Sequence, residues 1–225
     1  MKTIFKRELK ESMFTIKSLI ILLFFSMLTY FISKHSPELN QLSGGDSSLT
    51  SLIYATIETS GVFFSFLIFS GTIAKMIENG SIRFLISYTS RAKVLIAKYL
   101  AMNIYFIILL VIMLPVIGIA RGEIFFPILE MAQAVVFFAY ITSIVMLLSV
   151  ITKHEKTSNF VGISLGFLIP IVGVYSTVVK NSIINLLSWL LPYRYETFNL
   201  KSLILIGITI IILYLSINIF KRLEL

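Results

Sequence analysis

The chain contains no cysteine and little charge. Without cysteine it can form no disulfide, and it carries neither a thiol nucleophile nor a cysteine metal site. Only 13% of its 225 residues are charged and 57% are hydrophobic, whereas a soluble domain usually carries about 25% charged residues. This composition predicts an all-α integral membrane protein.

Motifs for nucleotide hydrolysis and for proteolysis are also missing from the sequence. There is no GxxxxGK[ST] loop, so we expect any ATP to be hydrolysed by another chain. There is no HExxH, no EExxxR and no pair of intramembrane carboxylates. Residues 162–166 (GISLG) match GxSxG, but that motif needs a strand–turn–helix elbow, and here it lies in an apolar run. We therefore predict a protein that is not an enzyme and has no cofactor or metal of its own.

Six apolar segments reach the length that a membrane-spanning helix needs, which is roughly 20 residues. Their continuous apolar character, without alternation of period two, predicts helices and not a β-barrel. Before the first segment, residues 1–17 place Phe5, Leu9 and Met13 at helical spacing, which predicts an interfacial amphipathic helix. The six predicted spans, within a single transmembrane domain 1–225, are about 18–34, 52–77, 95–119, 130–152, 159–179 and 202–220.

Basic residues are distributed unevenly between the two ends of these segments. Fourteen of the nineteen Lys and Arg residues lie on the side of both termini, and five lie on the other side. Because cytoplasmic loops carry the excess of Lys and Arg, we predict a multi-pass plasma-membrane protein with both termini in the cytoplasm. Orientation in the bilayer also accounts for the net charge of +8, so we expect no nucleic-acid partner.

The predicted outer loop 180–201 mixes apolar residues with Trp189, Tyr193 and Tyr195. Such aromatic residues favour the membrane interface, and the loop is too short and too polar to cross the bilayer twice. We predict one or two short re-entrant or interfacial helices, broken at Pro192, before the sixth span. The alternative is a surface loop with an aromatic belt.

Two sets of residues inside the predicted spans are candidates for function or assembly. Glu58 is the one acidic residue well inside a span, and an intramembrane carboxyl group marks a functional site by default. It is a candidate for a translocation path, or alternatively a hydrogen-bonded carboxyl group of the bundle. Ser158, Gly162 and Gly166 recur every four residues. Small residues let helices approach closely, so this face is a candidate contact within the bundle or between two chains.

A charged turn separates the fourth and fifth predicted spans at residues 153–156 (KHEK). One His and one Glu make a poor metal site, because a structural metal usually takes four ligands. We expect this turn to help fix the orientation of the chain, or to make a minor contact with a cytoplasmic partner.

Residues 75–98 (KMIENGSIRFLISYTSRAKVLIAK) separate the second and third predicted spans and hold five of the Lys and Arg residues. The stretch is amphipathic, with charges and Ser residues forming its polar face. A short basic amphipathic piece between two spans can lie at the inner membrane surface and meet a soluble partner. The alternative is an ordinary cytoplasmic loop. Its predicted apolar surface comprises Ile82, Phe84, Leu85, Val94, Leu95 and Ile96.

This stretch resembles the loop between spans two and three of type-2 ATP-binding-cassette (ABC) transporter permeases of the exporter type. Those permeases commonly carry E-N-G-T-hydrophobic, then L-L-x-S-P, S-R and G-K. Here Ser81 stands for the Thr, Thr89 lies near the usual Pro, and Ala97 replaces the usual Gly. The residues that the resemblance assigns to coupling with an ATPase are Glu78, Asn79, Gly80, Ser81, Phe84, Ser90, Arg91 and Lys98.

The resemblance implies a transporter in which two permease subunits pair above two ATPase subunits that hold ATP and Mg. The second permease would be another copy of the chain or a paralogous one. Residues 75–98 would include a coupling helix seated on the ATPase, and spans one, two and five would rock to open a central path outward. The implied cargo is a peptide, an antimicrobial compound, a lipid or another small amphipathic substrate.

Two other functions agree with the same sequence. A substrate-capture component of an energy-coupling-factor importer also has about six spans, and it would need a polar, aromatic-rich ligand pocket at the outer face. A permease-like immunity or sensor subunit, which exports nothing, would share every feature given above.

Overall fold

The computed structural model of the chain describes residues 15–35, 46–121, 127–178, 191–195 and 200–223. This part of the chain is helical and contains no strand, which confirms the all-α prediction. The predicted interfacial helix 1–17 lies almost wholly outside the described residues. The helices within them are α1 Ile16–Lys34, α2 Asp46–Phe69, α3 Thr72–Glu78, α4 Ser81–Tyr88, α5 Arg91–Arg121, α6 Ile128–Thr152, α7 Glu155–Val178, the 3-10 helix Pro192–Tyr195, and α8 Leu200–Arg222.

Several of these helices have the length and composition of membrane spans, so the chain is a multi-pass helical membrane protein. Among the described residues, five stretches are long and apolar enough to cross a bilayer. The apolar stretch Ser18–Lys34 is shorter than these five. The five are Ile53–Glu78, Arg91–Ile117, Ile128–Thr152, Glu155–Gly173 and Ser202–Arg222.

The shorter helix α1 packs along α5 and does not extend as far as the start of α5. The hydroxyl of Tyr105 donates a hydrogen bond to the backbone carbonyl of Ser18 at 3.2 Å, and the hydroxyl of Thr29 lies 3.4 Å from the sulfur of Met113. The two helices therefore run in the same direction. Because Tyr105 is about 21 Å along α5 from Arg91 at the helical rise of ~1.5 Å per residue, Ser18 lies beside the middle of α5.

The helices extend beyond the apolar runs that predicted them. Helix α5 begins at Arg91 and not near residue 95, and α7 begins at Glu155 and not near residue 159. Charged residues such as Arg and Glu are good helix formers, so a helix continues into water after its apolar run has ended. The length of an apolar run therefore gives only the part of a helix that lies in hydrocarbon.

The second predicted span is not one continuous helix. Helix α2 ends at Phe69 and α3 begins at Thr72, with Ser70 and Gly71 between them. The hydroxyl of Ser149 on α6 accepts hydrogen bonds from the first free backbone N–H groups of α3, at 3.1 and 3.0 Å. A broken helix is tolerated inside a membrane protein when a neighbouring side chain satisfies the freed backbone groups, and Ser149 does so here.

Two apolar clusters hold the bundle together. The larger lies among α1, α2, α5 and α6, where the rings of Phe106 and Phe138 stack at 4.2 Å between centroids. The smaller cluster joins α3, α4, α5, α6 and α8 at one end of the bundle. We call this end, which also includes the turn between α6 and α7, the basic end. Its buried residues are Ile73, Ile82, Leu95, Met146, Val150 and Phe220.

The 3-10 helix Pro192–Tyr195 lies at the opposite end, packed against α7 and α8. Tyr193 and Tyr195 are buried inside the bundle and do not lie on its surface. The ring of Tyr193 is 5.5 Å from that of Phe137 and fills the space beside Gly173, where a side chain would collide with it. Trp189 and most of the predicted re-entrant segment lie outside the described residues.

Candidate docking site at the basic end of the bundle

Helix α4 is a separate eight-residue helix at the basic end, bounded by one turn on each side. Before it, Gly80 adopts a left-handed conformation with φ of 67°. Glycine adopts this conformation without steric cost, so the chain can change direction sharply after α3. After it, Thr89 is extended, and α5 begins two residues later.

The two faces of α4 have different surroundings. Ile82 is buried in the smaller apolar cluster, whereas the side chains of Phe84 and Tyr88 are 75% and 90% exposed. Residues four apart lie on the same face of a helix, so these two aromatic residues form one exposed patch. The predicted apolar surface of this stretch is therefore divided between the two faces of α4. Ile82 occupies the space inside, and Phe84 points away from the bundle.

The exposed side of α4 is an aromatic and basic surface. We call it the docking surface, and we call α4 the docking helix. The docking surface comprises Ser81, Arg83, Phe84, Ser87 and Tyr88. Large exposed aromatic residues with a polar surround mark interaction sites in proteins. The nearby exposed cations of the basic end are Lys75, Lys93, Lys153, Lys156, Lys221 and Arg222.

Glu78, just before the docking helix, is bonded to the first residue of α7. Its Oε2 accepts a hydrogen bond from the backbone N–H of Glu155 at 2.7 Å, and its Oε1 lies 3.7 Å from Nδ1 of His154. A carboxylate at the start of a helix accepts from backbone N–H groups that have no partner within the helix, and it is favoured there by the helix dipole. Lys75 adds an ion pair to Glu155 at 3.5 Å.

Arg91, just after the docking helix, is bonded to the end of α8. Its Nη1 donates to the backbone carbonyls of Phe220, Lys221 and Leu223 at 3.3, 2.8 and 2.6 Å. The last carbonyl groups of a helix have no partner within it, and a cation is favoured beside them. The docking helix is thus flanked by Glu78, which contacts α7, and by Arg91, which contacts α8.

The remaining residues of the predicted coupling set lie in different places. Asn79 and Gly80 form the turn between α3 and α4, and the hydroxyl of Ser81 is 3.5 Å from the Met76 carbonyl. Ser90 is exposed immediately before α5. Lys98 is only 6% exposed and lies inside the bundle, away from the docking surface.

The small residues of α7 lie against the broken second span. The Ser158 hydroxyl donates to the Ser70 carbonyl, and the Ser70 hydroxyl donates to Oδ1 of Asn159 at 3.0 Å. A Cβ atom at Gly162 would lie 2.6 Å from the Cβ of Ser70, and one at Gly166 would lie 3.3 Å from the backbone of α2. The small-residue face therefore forms a contact within the bundle, with Ser70 at the break and with the end of α2 before it.

Glu58 lies away from the docking surface. It is 3% exposed and sits on α2, which packs against α1, α6 and α7. Eleven residues of α2, the break and α3 separate it from Glu78, which is at most about 30 Å at ~1.5 Å per residue. A role in a translocation path and a role in the docking site are thus properties of different regions of the molecule.

The most important residues that the sequence did not reveal are Ser149 and Asn159. Each supports the break in the second span, from α6 and from α7 respectively. A single Ser or Asn within a predicted span has no surrounding pattern that marks a contact, so neither residue gave a signal by itself. The adjacent Ser70 and Gly71 did give one, because sharp changes of helix direction often occur at Gly/Ser pairs.

Neither the protein-family models nor the curated proteins gave a match to this chain.

Proposed function

We propose that the chain is the membrane-spanning permease subunit of an ABC transporter of the exporter type, and that its docking surface binds a separate ATPase subunit. The observation that carries this proposal is the placement of α4. It buries Ile82, exposes Phe84 and Tyr88, and lies between α3 and the long helix α5 at the basic end. A soluble partner that binds α4 can therefore displace the helices that α4 contacts.

The proposal includes a topology. Helix α1 is the first of six spans, residues 1–17 lie in the interface, and a re-entrant segment precedes the sixth span. The basic end faces the cytoplasm of the plasma membrane, with both termini on that side, because cytoplasmic loops carry the excess of Lys and Arg. This orientation presents α4 to an ATPase that holds ATP and Mg in the cytoplasm.

The coupling proposal rests on the two contacts that flank α4. Glu78 bonds to the start of α7 and Arg91 bonds to the end of α8. A displacement of α4 by the ATPase would act on both helices and would change their relative position. Rigid elements joined at short turns are the usual means of switching between two arrangements.

A second permease, either another copy or a paralogous chain, completes the path in this proposal. The cargo is a peptide, an antimicrobial compound, a lipid or another small amphipathic molecule. Glu58, near the middle of α2, would contact a polar or cationic group of that cargo, since intramembrane carboxyl groups commonly line substrate pathways.

The alternative of a substrate-capture subunit of an energy-coupling-factor importer requires a ligand pocket at the end opposite α4. A cavity there, lined by Gln133, Pro192, Tyr195 and Ser202, measures about 10 Å³. That volume holds roughly one water molecule, whereas small-molecule pockets are usually about 300–1,000 Å³. This cavity by itself is too small to be that ligand pocket.

The experiment is co-purification of the tagged chain from cells that also express its co-encoded neighbours, with a search for an ATPase among the proteins that co-elute. We expect the ATPase to co-elute with the wild-type chain. Replacing both exposed aromatic residues, Phe84→Ala with Tyr88→Ala, should weaken the complex more than about tenfold, because buried aromatic anchors dominate binding. The replacement should leave membrane insertion unchanged, since both side chains are exposed.

The matched control is Tyr175→Ala, which removes an aromatic side chain that is also exposed but lies on α7 about 30 Å from Glu155, at ~1.5 Å per residue. It should bind the ATPase as the wild type does. Failure of any ATPase to co-elute, or equal binding by the double variant and the control, would reject the proposed function.

A further inference from the structure

Helix α3 is a short, separate piece of the second span with a defined contact at each end. Its seven residues begin after the break at Ser70 and Gly71. At its start, the backbone N–H groups of Ile73 and Ala74 donate to the hydroxyl of Ser149. The start of α3 is therefore fixed to α6 and does not depend on continuity with α2.

The other end of α3 is fixed to α7. The carboxylate of Glu78 accepts the backbone N–H of Glu155 at 2.7 Å, and the Lys75 ammonium lies 3.5 Å from the carboxylate of Glu155. Both contacts fall on the first residue of α7. A movement of α3 therefore reaches α7 at its terminus, where the backbone donors have no other partner in the helix.

The same part of α7 also holds the break itself. Ser158 donates to the carbonyl of Ser70, and Asn159 accepts from its hydroxyl at 3.0 Å. The first turns of α7 thus contact α3 at its end and the break before it. The part of α2 that precedes the break contacts α7 separately, where Gly166 closely approaches Phe63.

We infer that Glu78 is a positioning residue that transmits the movement of the docking helix to α7, with α3 as the rigid connection and the Ser70–Gly71 break as its hinge. The inference deepens the proposed function, which supplies the force, but the mechanical link between Glu78 and α7 exists in the chain alone. Glu78→Ala removes the acceptor oxygen, whereas Glu78→Gln keeps an acceptor and removes only the charge.

The link is measured first in the purified chain without any ATPase. Because the chain has no native cysteine, spin labels can be placed at Arg83→Cys on α4 and Thr157→Cys on α7, both exposed. Pulsed electron–electron double resonance gives the distribution of distances between the two spin labels. With Glu78→Ala we expect a broader and longer distribution, and with Glu78→Gln a distribution like that of the parent. A distribution unchanged by Glu78→Ala would overturn the inference.

The second measurement uses the complex with the ATPase and labels at Thr157→Cys and Lys221→Cys, which report α7 against α8. Mg-ATP with vanadate should shift this distance in the parent and in Glu78→Gln. In Glu78→Ala the shifted fraction should fall at least about fivefold, the size of effect that a lost helix cap produces. An equal shift in Glu78→Ala would overturn the inference.

The two arms separate this inference from the proposed function. If no ATPase binds, the proposed function fails, while the first arm still decides whether Glu78 holds α4 and α7 together. If the ATPase binds and the first arm shows no effect of Glu78→Ala, the proposed function stands and the inference is wrong.

Discussion

Replacing Gly162 by alanine tests the close contact between α7 and the broken second span. The added Cβ would lie 2.6 Å from the Cβ of Ser70 and 2.7 Å from its hydroxyl oxygen. Carbon atoms in contact are ordinarily about 3.5–4.0 Å apart. The two helices would have to separate by roughly 1 Å there, and the hydrogen bonds from Ser158 and to Asn159 would lengthen with them.

The magnitude follows from two opposing effects. An added methyl group in a packed contact costs typically about 1–3 kcal/mol. The same substitution at an open helical position stabilises by about 0.5–1 kcal/mol, because alanine loses less conformational freedom than glycine. Gly207 on α8 provides that open position, since nothing lies within 4 Å of a Cβ atom there. Gly162→Ala and Gly207→Ala should therefore differ by about 1.5–4 kcal/mol in free energy of unfolding.

The assay is reversible unfolding in mixed micelles by titration with dodecyl sulfate. A double variant, Gly162→Ala with Ser70→Gly, should recover part of the loss, because it removes both atoms that the new Cβ would meet. Recovery stays incomplete because the hydrogen bond from Ser70 to Asn159 is also removed. Equal stability of Gly162→Ala and Gly207→Ala would refute the argument that α7 and the second span meet at this glycine.

Two further predictions concern the polar contacts of the basic end. Ser149→Ala leaves the buried N–H groups of Ile73 and Ala74 without their acceptor and should cost about 1–3 kcal/mol in the same titration. Ser149→Thr should cost less, and a loss no greater than that of Ser149→Thr would contradict the capping role. Arg91→Lys should speed hydrogen exchange of the last turn of α8 several-fold, because lysine lacks the guanidinium fork. Exchange there as slow as in an Arg83→Lys control would argue against the contact.

The long helices could be predicted from the sequence because each depends on a local property. An apolar run of sufficient length must be helical in lipid, since every backbone group has to find a partner within the segment. The five long stretches follow from this rule alone. Their ends were misplaced at Arg91 and Glu155 because helix formation continues past the apolar part, where hydropathy carries no information.

The contacts that stabilise the break at Ser70–Gly71 and the direction of Phe84 both depend on residues that are distant in the sequence. Ser149, which caps α3, is 76 residues from Ile73 in the sequence. Phe84 is exposed because Ile82 takes the position against Phe220 and its neighbours. Apolar character alone does not indicate which of two nearby side chains on a helix, such as Ile82 and Phe84, will be buried.

The candidate site was predicted in part. The sequence singled out the residues around α4, and the structure places Glu78, Arg91 and Phe84 at the two flanks and on the outer face of that helix. The sequence pattern did not indicate what each of these residues contacts. Glu78 and Arg91 contact helices of the same chain, whereas Phe84 and Tyr88 on α4 are exposed.

The central claim is that α4 lies in the cytoplasm, where it meets an ATPase. Tyr88→Cys places one thiol at an exposed point of α4, in a chain with no other cysteine. A membrane-impermeant maleimide should label it in inside-out vesicles and not in intact cells, and bound ATPase should protect it. Labelling from outside intact cells would place α4 on the wrong side of the membrane and contradict the account.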